Sequence, residues 1–160
     1  MKKIVIYYSL EGNTEYAAEK IARETGAETL RLFPEKSYPD SGFRKFFWGG
    51  KSAVMGEKPK LMPYEFDSNE YDMIIFGSPV WAGTFAPPLR TFINENQLSG
   101  KSFAAFFCQS GSGGEKAIAK LGKLLGTEGF RAETVLTDPK SNPTEENEKK
   151  LADFCDALKD

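Results

Sequence analysis

The sequence predicts a doubly wound α/β domain: a five-stranded parallel sheet with helices on both faces, formed by residues 1–160 as one unit. Three observations carry this. Apolar strand-like runs alternate with helical stretches along the whole chain. Two of those runs, Met73-Ile74-Ile75-Phe76-Gly77 and Ser102-Phe103-Ala104-Ala105-Phe106-Phe107-Cys108, are apolar at consecutive positions, as strands covered on both faces require. A loop rich in hydroxyl groups and Gly joins the first strand to the first helix.

The first strand is read at Lys3–Tyr8, and the helix after it at Glu15–Glu24, where Ala17, Ala18, Ile21 and Ala22 make one apolar stripe. A weaker second strand spans Glu28–Phe33. Residues 33–66 are irregular: Pro34, Pro39, Pro59 and Pro63 exclude a continuous helix, although a short one fits Ser41–Met55 with Phe43, Phe46, Phe47 and Val54 for packing. The third and fourth strands are the two apolar runs above. Ile118, Leu121 and Leu125 then mark a helix, and a short fifth strand spans Ala132–Leu136. Leu151, Phe154 and Leu158 mark the last helix, whose start is read as Asn142 at the N-cap, Pro143 at N1 and Glu145 at N3.

The composition is that of an ordinary globular protein, with 40% hydrophobic and 28% charged residues. A net charge of −2 supports neither nucleic-acid nor membrane binding. The chain has no histidine, which excludes histidine bases, histidine metal ligands and Ser-His-Asp hydrolysis. Cys108 and Cys155 form no CxxC pair and are expected to be free thiols in a reducing compartment. Because the sequence runs straight into a strand, no signal peptide is expected, and no apolar run in it reaches transmembrane length. The expectation is a cytoplasmic monomer.

Chemistry is concentrated in three loops at the C-terminal ends of strands one, three and four, the edge where open α/β sheets bind ligands. In Ser9-Leu10-Glu11-Gly12-Asn13-Thr14, side-chain donors meet the unpaired N–H groups of a helix start, as a phosphate cradle needs. The loop contains no Lys or Arg, unlike a nucleoside-triphosphate loop. The second loop, Gly77–Pro88, presents Trp81 for stacking on a planar ring, beside the adaptable backbone of Ala82 and Gly83. The third, Gln109-Ser110-Gly111-Ser112-Gly113-Gly114, can bind a ring edge through main-chain atoms. It does not complete a GxGxxG fingerprint, because Lys116 takes the last Gly position. Plainer readings exist for each: an N-capped turn, a core Trp, a flexible linker. Cys108 reads as core, Phe46, Phe47 and Trp48 as core or crevice lining, and the Lys36–Lys60 excess as a solvated face.

These loops, in this order, resemble those of the flavodoxins, and the resemblance covers nearly the full length. It implies strand order 2-1-3-4-5, non-covalently bound FMN, and a low-potential carrier moving single electrons between redox partner proteins. It places Ser9, Leu10, Glu11, Gly12, Asn13 and Thr14 at the FMN phosphate. Trp81 would stack on the ring, with Pro79, Val80, Ala82, Gly83 and Thr84 beside it and the Ala82–Gly83 peptide near flavin N5. Cys108, Gln109, Ser110, Gly111, Gly113 and Gly114 would meet the pyrimidine end. With no Lys or Arg in these loops, the reduced anionic ring would be destabilised and strongly reducing.

Two departures distinguish the chain. The third loop has no aromatic, where many flavodoxins supply a second one. Six basic residues (Lys36, Arg44, Lys45, Lys51, Lys58, Lys60) face Asp40 and Glu57, a local +4. Both features suit an FMN-dependent NAD(P)H:quinone or flavin reductase. A third reading is a non-redox binding module without FMN.

Overall fold

The computed structural model describes residues 1–39 and 50–160. Its elements are β1 (Lys3–Tyr7), α1 (Asn13–Thr25), β2 (Glu28–Arg31), β3 (Met73–Trp81), β4 (Thr84–Phe85), α2 (Pro87–Glu95), β5 (Ser102–Gln109), α3 (Gly114–Leu125), β6 (Glu133–Thr137) and α4 (Glu145–Ala157). Residues 50–54 are helical, and Ser68–Glu70 form one 3₁₀ turn.

Five strands run parallel in the order β2-β1-β3-β5-β6, the order expected once a short extra strand is counted. That extra strand, β4, pairs antiparallel with the end of β3. The stretch read as a loop from Gly77 is therefore strand as far as Trp81. The turn between β3 and β4 is Ala82-Gly83, with φ of 51° and 71°. Two positive values at the centre of a two-residue hairpin mark a type I′ turn. Ala is a poor residue for that conformation, so the usual Asn-Gly signal was missing.

Alternate residues of each central strand enter different cores. Ile4, Ile6, Ile74, Phe76, Ala105 and Phe107 pack with Leu89 and Phe92 of α2 and Ala117, Ile118 and Leu121 of α3. Val5, Ile75, Ala104 and Phe106 pack with Ala17, Ala18 and Ile21 of α1 and Leu151, Phe154 and Leu158 of α4. Both sheet faces are covered, which is why β3 and β5 lack period-two alternation. A Cβ on Gly77 would fall 2.2 Å from the Phe106 ring, so Gly is required there for the strands to pack.

Some boundaries differ from the expected ones. Helix α1 begins at Asn13, two residues early, because Gly12 at φ 102° closes the loop sooner. Helix α4 is capped by Thr144, whose hydroxyl accepts from Asn147 N, and not by Asn142. The Asn142 N–H is spent on Asp138 O, within the turn before the helix.

The irregular stretch packs on the sheet edge and reaches the crevice. Pro34 and Leu61 form an antiparallel bridge, and Thr91 of α2 bonds Pro59 O. Tyr38 and Leu61 join the core, whereas Val54 is 67% exposed and does not pack as expected. Asp40, Phe43, Arg44, Lys45, Phe46, Phe47 and Trp48 lie outside the described residues.

Candidate functional site at the C-terminal sheet edge

The strand order reverses between β1 and β3, and the loops leaving their C-terminal ends splay apart to leave a crevice. A cavity of about 380 Å³ lies there, within the range of small-ligand sites.

Its first wall is the β1–α1 loop. The Ser9 hydroxyl is buried and accepts from Glu15 N at 3.2 Å, satisfying one donor of the first turn, although the N-cap position is Gly12, which makes no side-chain cap bond. The N–H groups of Asn13 and Thr14, earlier in the same turn, have no acceptor among the described residues. They are open donors at the positive end of a helix. Asn13 Oδ1 accepts from Lys140 N at 2.9 Å and Ser141 N at 3.2 Å. Two backbone donors fix the amide's orientation and leave Nδ2 as its remaining donor. Arg31 reaches the loop from β2, donating to Ser9 O and pairing with Glu15. Glu11 is exposed, and its carboxylate can only accept, so towards an anion it has only backbone to offer.

The second wall is the β3–β4 hairpin. Ser78 fastens it: its buried hydroxyl accepts from Ala86 N and donates to Pro79 O, both at 2.8 Å. Trp81 is half-buried and held edge-on by Tyr8 and Tyr38, with centroids 5.6 and 5.1 Å away. This aromatic cluster orients the indole while it lines the cavity. Burial pushes the Tyr8 and Tyr38 phenols up, so both stay neutral at physiological pH.

The third wall is the β5–α3 loop. The Gln109 side chain turns back to accept from Gly114 N at 2.9 Å, closing the loop onto the helix start. Burial, partly offset by the Thr14 hydroxyl, pushes the Cys108 thiol up to about 12; it forms apolar floor and is not a nucleophile at neutral pH.

Of the expected site residues, Ser9, Leu10, Glu11, Asn13 and Thr14 line the cavity, as do Pro79, Val80, Trp81, Ala82, Cys108, Gln109, Ser110 and Gly111. Five others do not line it but shape it. Gly12 and Gly83 supply positive φ, and Thr84 is 4% exposed, paired with Trp81. A Cβ on Gly113 would lie 3.2 Å from Gly83 Cα, and one on Gly114 would lie 2.4 Å from Val135 Cγ1.

Ser112 of the third loop also lines the cavity, as do Gly50 and Asp138, which were missed. Asp138 belongs to a fourth loop, after β6. Its N–H donates to Gln109 O, its carboxylate accepts from Ser110 Oγ, and its φ is 45°. The signal was available, since β6 ends at the same sheet edge as the other strands. Cations missing from the three loops arrive from outside them. The Lys140 ammonium lies over Gly12, and the Lys116 side chain lies over Gly83.

Known proteins share this fold. The flavodoxin family model matches residues 2–153. A flavoprotein of Lactobacillus acidophilus NCFM, solved in complex with FMN, is 26% identical, with a TM-score of 0.70 over 88% of this chain and 95% of that one. A protein of Bacteroides eggerthii DSM 20697 assigned as a flavoprotein is 21% identical, with a TM-score of 0.75 over 98% and 97% of the two chains. Oxidised flavodoxin 2 of Bacillus cereus is 19% identical, with a TM-score of 0.64 over 99% and 97%. The two last share the fold. Among the described residues no helix is long and apolar enough to cross a membrane. With the family model spanning nearly the whole chain, on a sheet of this order, the protein belongs to the flavodoxin family.

Proposed function

We propose that this protein binds FMN non-covalently in the crevice and carries single electrons between redox partner proteins as a cytoplasmic monomer. The observation that carries the reading is a cavity with open helix-start donors at Asn13 and Thr14 on one wall and an oriented indole, Trp81, on another. One wall suits a phosphate and the other a planar ring. FMN is what the Lactobacillus acidophilus relative holds. When bound, FMN supplies the redox chemistry; the protein binds it, orients it and sets its electrostatics.

In this reading the N–H groups of Asn13 and Thr14 and the Asn13 amide hold the phosphate. Trp81 stacks on the ring, with Pro79, Val80 and Ala82 beside it, and Ser9 and Leu10 support the turn. Gly12, Gly83, Thr84, Gly113 and Gly114 hold the backbone in shape, Cys108 floors the crevice, and Gln109, Ser110 and Gly111 meet the ring's polar end. The Ala82–Gly83 peptide is the backbone group that meets N5. The buried, unpaired thiols Cys108 and Cys155 suit a reducing compartment.

The reductase reading draws on one observation: Ser110, Gly111 and Ser112 are exposed and bring no aromatic to cover the ring. Stepwise anaerobic reduction of the FMN-loaded protein, followed by absorbance, separates the two. A carrier populates a one-electron-reduced form and is not bleached by NADPH alone. Direct two-electron reduction with rapid NADPH bleaching would favour the reductase. A protein that purifies colourless and takes up no FMN would favour a non-redox module.

A further inference from the structure

We propose that Lys140 is a specificity-determining residue that makes the crevice select phosphorylated over unphosphorylated flavin. This rests on the FMN reading above and assigns a charge to the phosphate end of that site, where the β1–α1 loop itself has none.

Lys140 lies 127 residues from Asn13 in sequence, yet its backbone N–H donates to Asn13 Oδ1 at 2.9 Å. Ser141 adds a backbone bond to the same oxygen at 3.2 Å and its hydroxyl a weaker one at 3.4 Å. On its other side the turn is tied down by Asn142 N to Asp138 O at 2.8 Å and Asp138 N to Gln109 O at 3.0 Å. Both ends of the Lys140 backbone are therefore fixed relative to the loop that would cradle the phosphate. From that anchor the side chain lies across Gly12: a Cβ built there would meet Lys140 Nζ at 3.0 Å and Cδ at 3.5 Å. Gly12 immediately precedes the open N–H groups of Asn13 and Thr14.

The ammonium forms no ion pair among the described residues. Arg31, which reaches the same loop, is committed to Glu15. An unpaired ammonium beside open helix-start donors complements a phosphate monoester, which carries about −1.5 to −2 charges at pH 7. The ribityl hydroxyl of riboflavin has no such charge. The selectivity therefore comes from a residue outside the cradle motif, delivered by the fourth loop and pinned by Asn13.

The test compares FMN and riboflavin binding to apoprotein of the wild type, Lys140→Met and Lys140→Arg, by flavin fluorescence at two salt concentrations. Because the tether uses the Lys140 backbone and the side chain is exposed, Lys140→Met leaves the turn intact; equal thermal unfolding temperatures check this. A charged hydrogen bond lost at a solvent-open site corresponds to about a tenfold loss of affinity. We expect Lys140→Met to bind FMN about tenfold more weakly, to bind riboflavin as the wild type does, and to lose part of the salt dependence. Lys140→Arg should restore FMN binding. Unchanged FMN affinity in Lys140→Met, or equal losses for both flavins, would overturn the assignment while leaving FMN binding standing. A wild-type protein that binds neither flavin would overturn the FMN reading and this inference with it.

Discussion

Ser78→Ala tests how the site is held. Ser78 is 0% exposed, just past the last β3 residue paired with β1 and still paired with Phe107 of β5. Its hydroxyl is the acceptor for Ala86 N at 2.8 Å, and Ala86 is itself buried at the N-cap of α2. Alanine removes that acceptor and leaves a buried N–H without a partner, at a cost of about 1–3 kcal/mol. The bond to Pro79 O is lost as well, but that carbonyl lies in a half-buried part of the strand and recovers water. For a chain of this size each kcal/mol lowers Tm by about 2–4 °C, so the expected drop is about 2–12 °C. Denaturant unfolding of the apoprotein should show a lower midpoint with unchanged m, because the exposed surface is the same. The hairpin also carries Trp81, so FMN affinity should fall in parallel. A Tm within about 1 °C of wild type, with m unchanged, would refute the claim that this hydroxyl fastens the hairpin.

Other perturbations probe different parts of the account. Gly114→Ala pushes a Cβ to 2.4 Å from Val135 Cγ1 and 2.9 Å from Gln109 Oε1; it should cost about 1–3 kcal/mol in thermal unfolding and weaken FMN binding by opening the third loop. Trp81→Ala should weaken FMN binding and shift both redox couples, read by titration and potentiometry, while removing the ring that Tyr8 and Tyr38 support. Acid should weaken the α1–α4 contact. The Lys20 ammonium bonded to Glu148 holds that carboxyl below its usual range. Its stabilisation is therefore complete above the unfolded carboxylate pKa of about 4.3 and is lost as pH falls through the lower folded value. The pair is partly exposed and worth about 0–1 kcal/mol, so Glu148→Gln should flatten the acid limb of the stability–pH curve only slightly.

The parts of the fold legible in the sequence were those where one signal dominated. The apolar runs in β1, β3 and β5 could only be doubly covered strands, and the Ala17–Ile21 and Leu151–Leu158 stripes could only be buried helix faces. The helix start after β1 was readable because helix-start physics is local. What was missed depended on contacts between distant residues. The β3–β4 hairpin places Ala82 in a left-handed conformation that its side chain disfavours, so the turn left no local signature. Thr144, not Asn142, caps α4, and the Asn142 N–H instead closes a turn on Asp138 O just before the helix, a contact set by the fourth loop. Cations were sought inside the loops, whereas Lys140 lies over Gly12 from the turn after β6. Tyr38 was an unremarked residue in an irregular segment until packing set it against Trp81.

The most direct measurement is titration of the apoprotein with FMN, following flavin fluorescence. The expected result is saturable binding of one FMN per chain, with the emission quenched by an aromatic neighbour and the quenching reduced in Trp81→Ala. Absence of saturable binding, or equal quenching without Trp81, would contradict the placement of the flavin in this crevice.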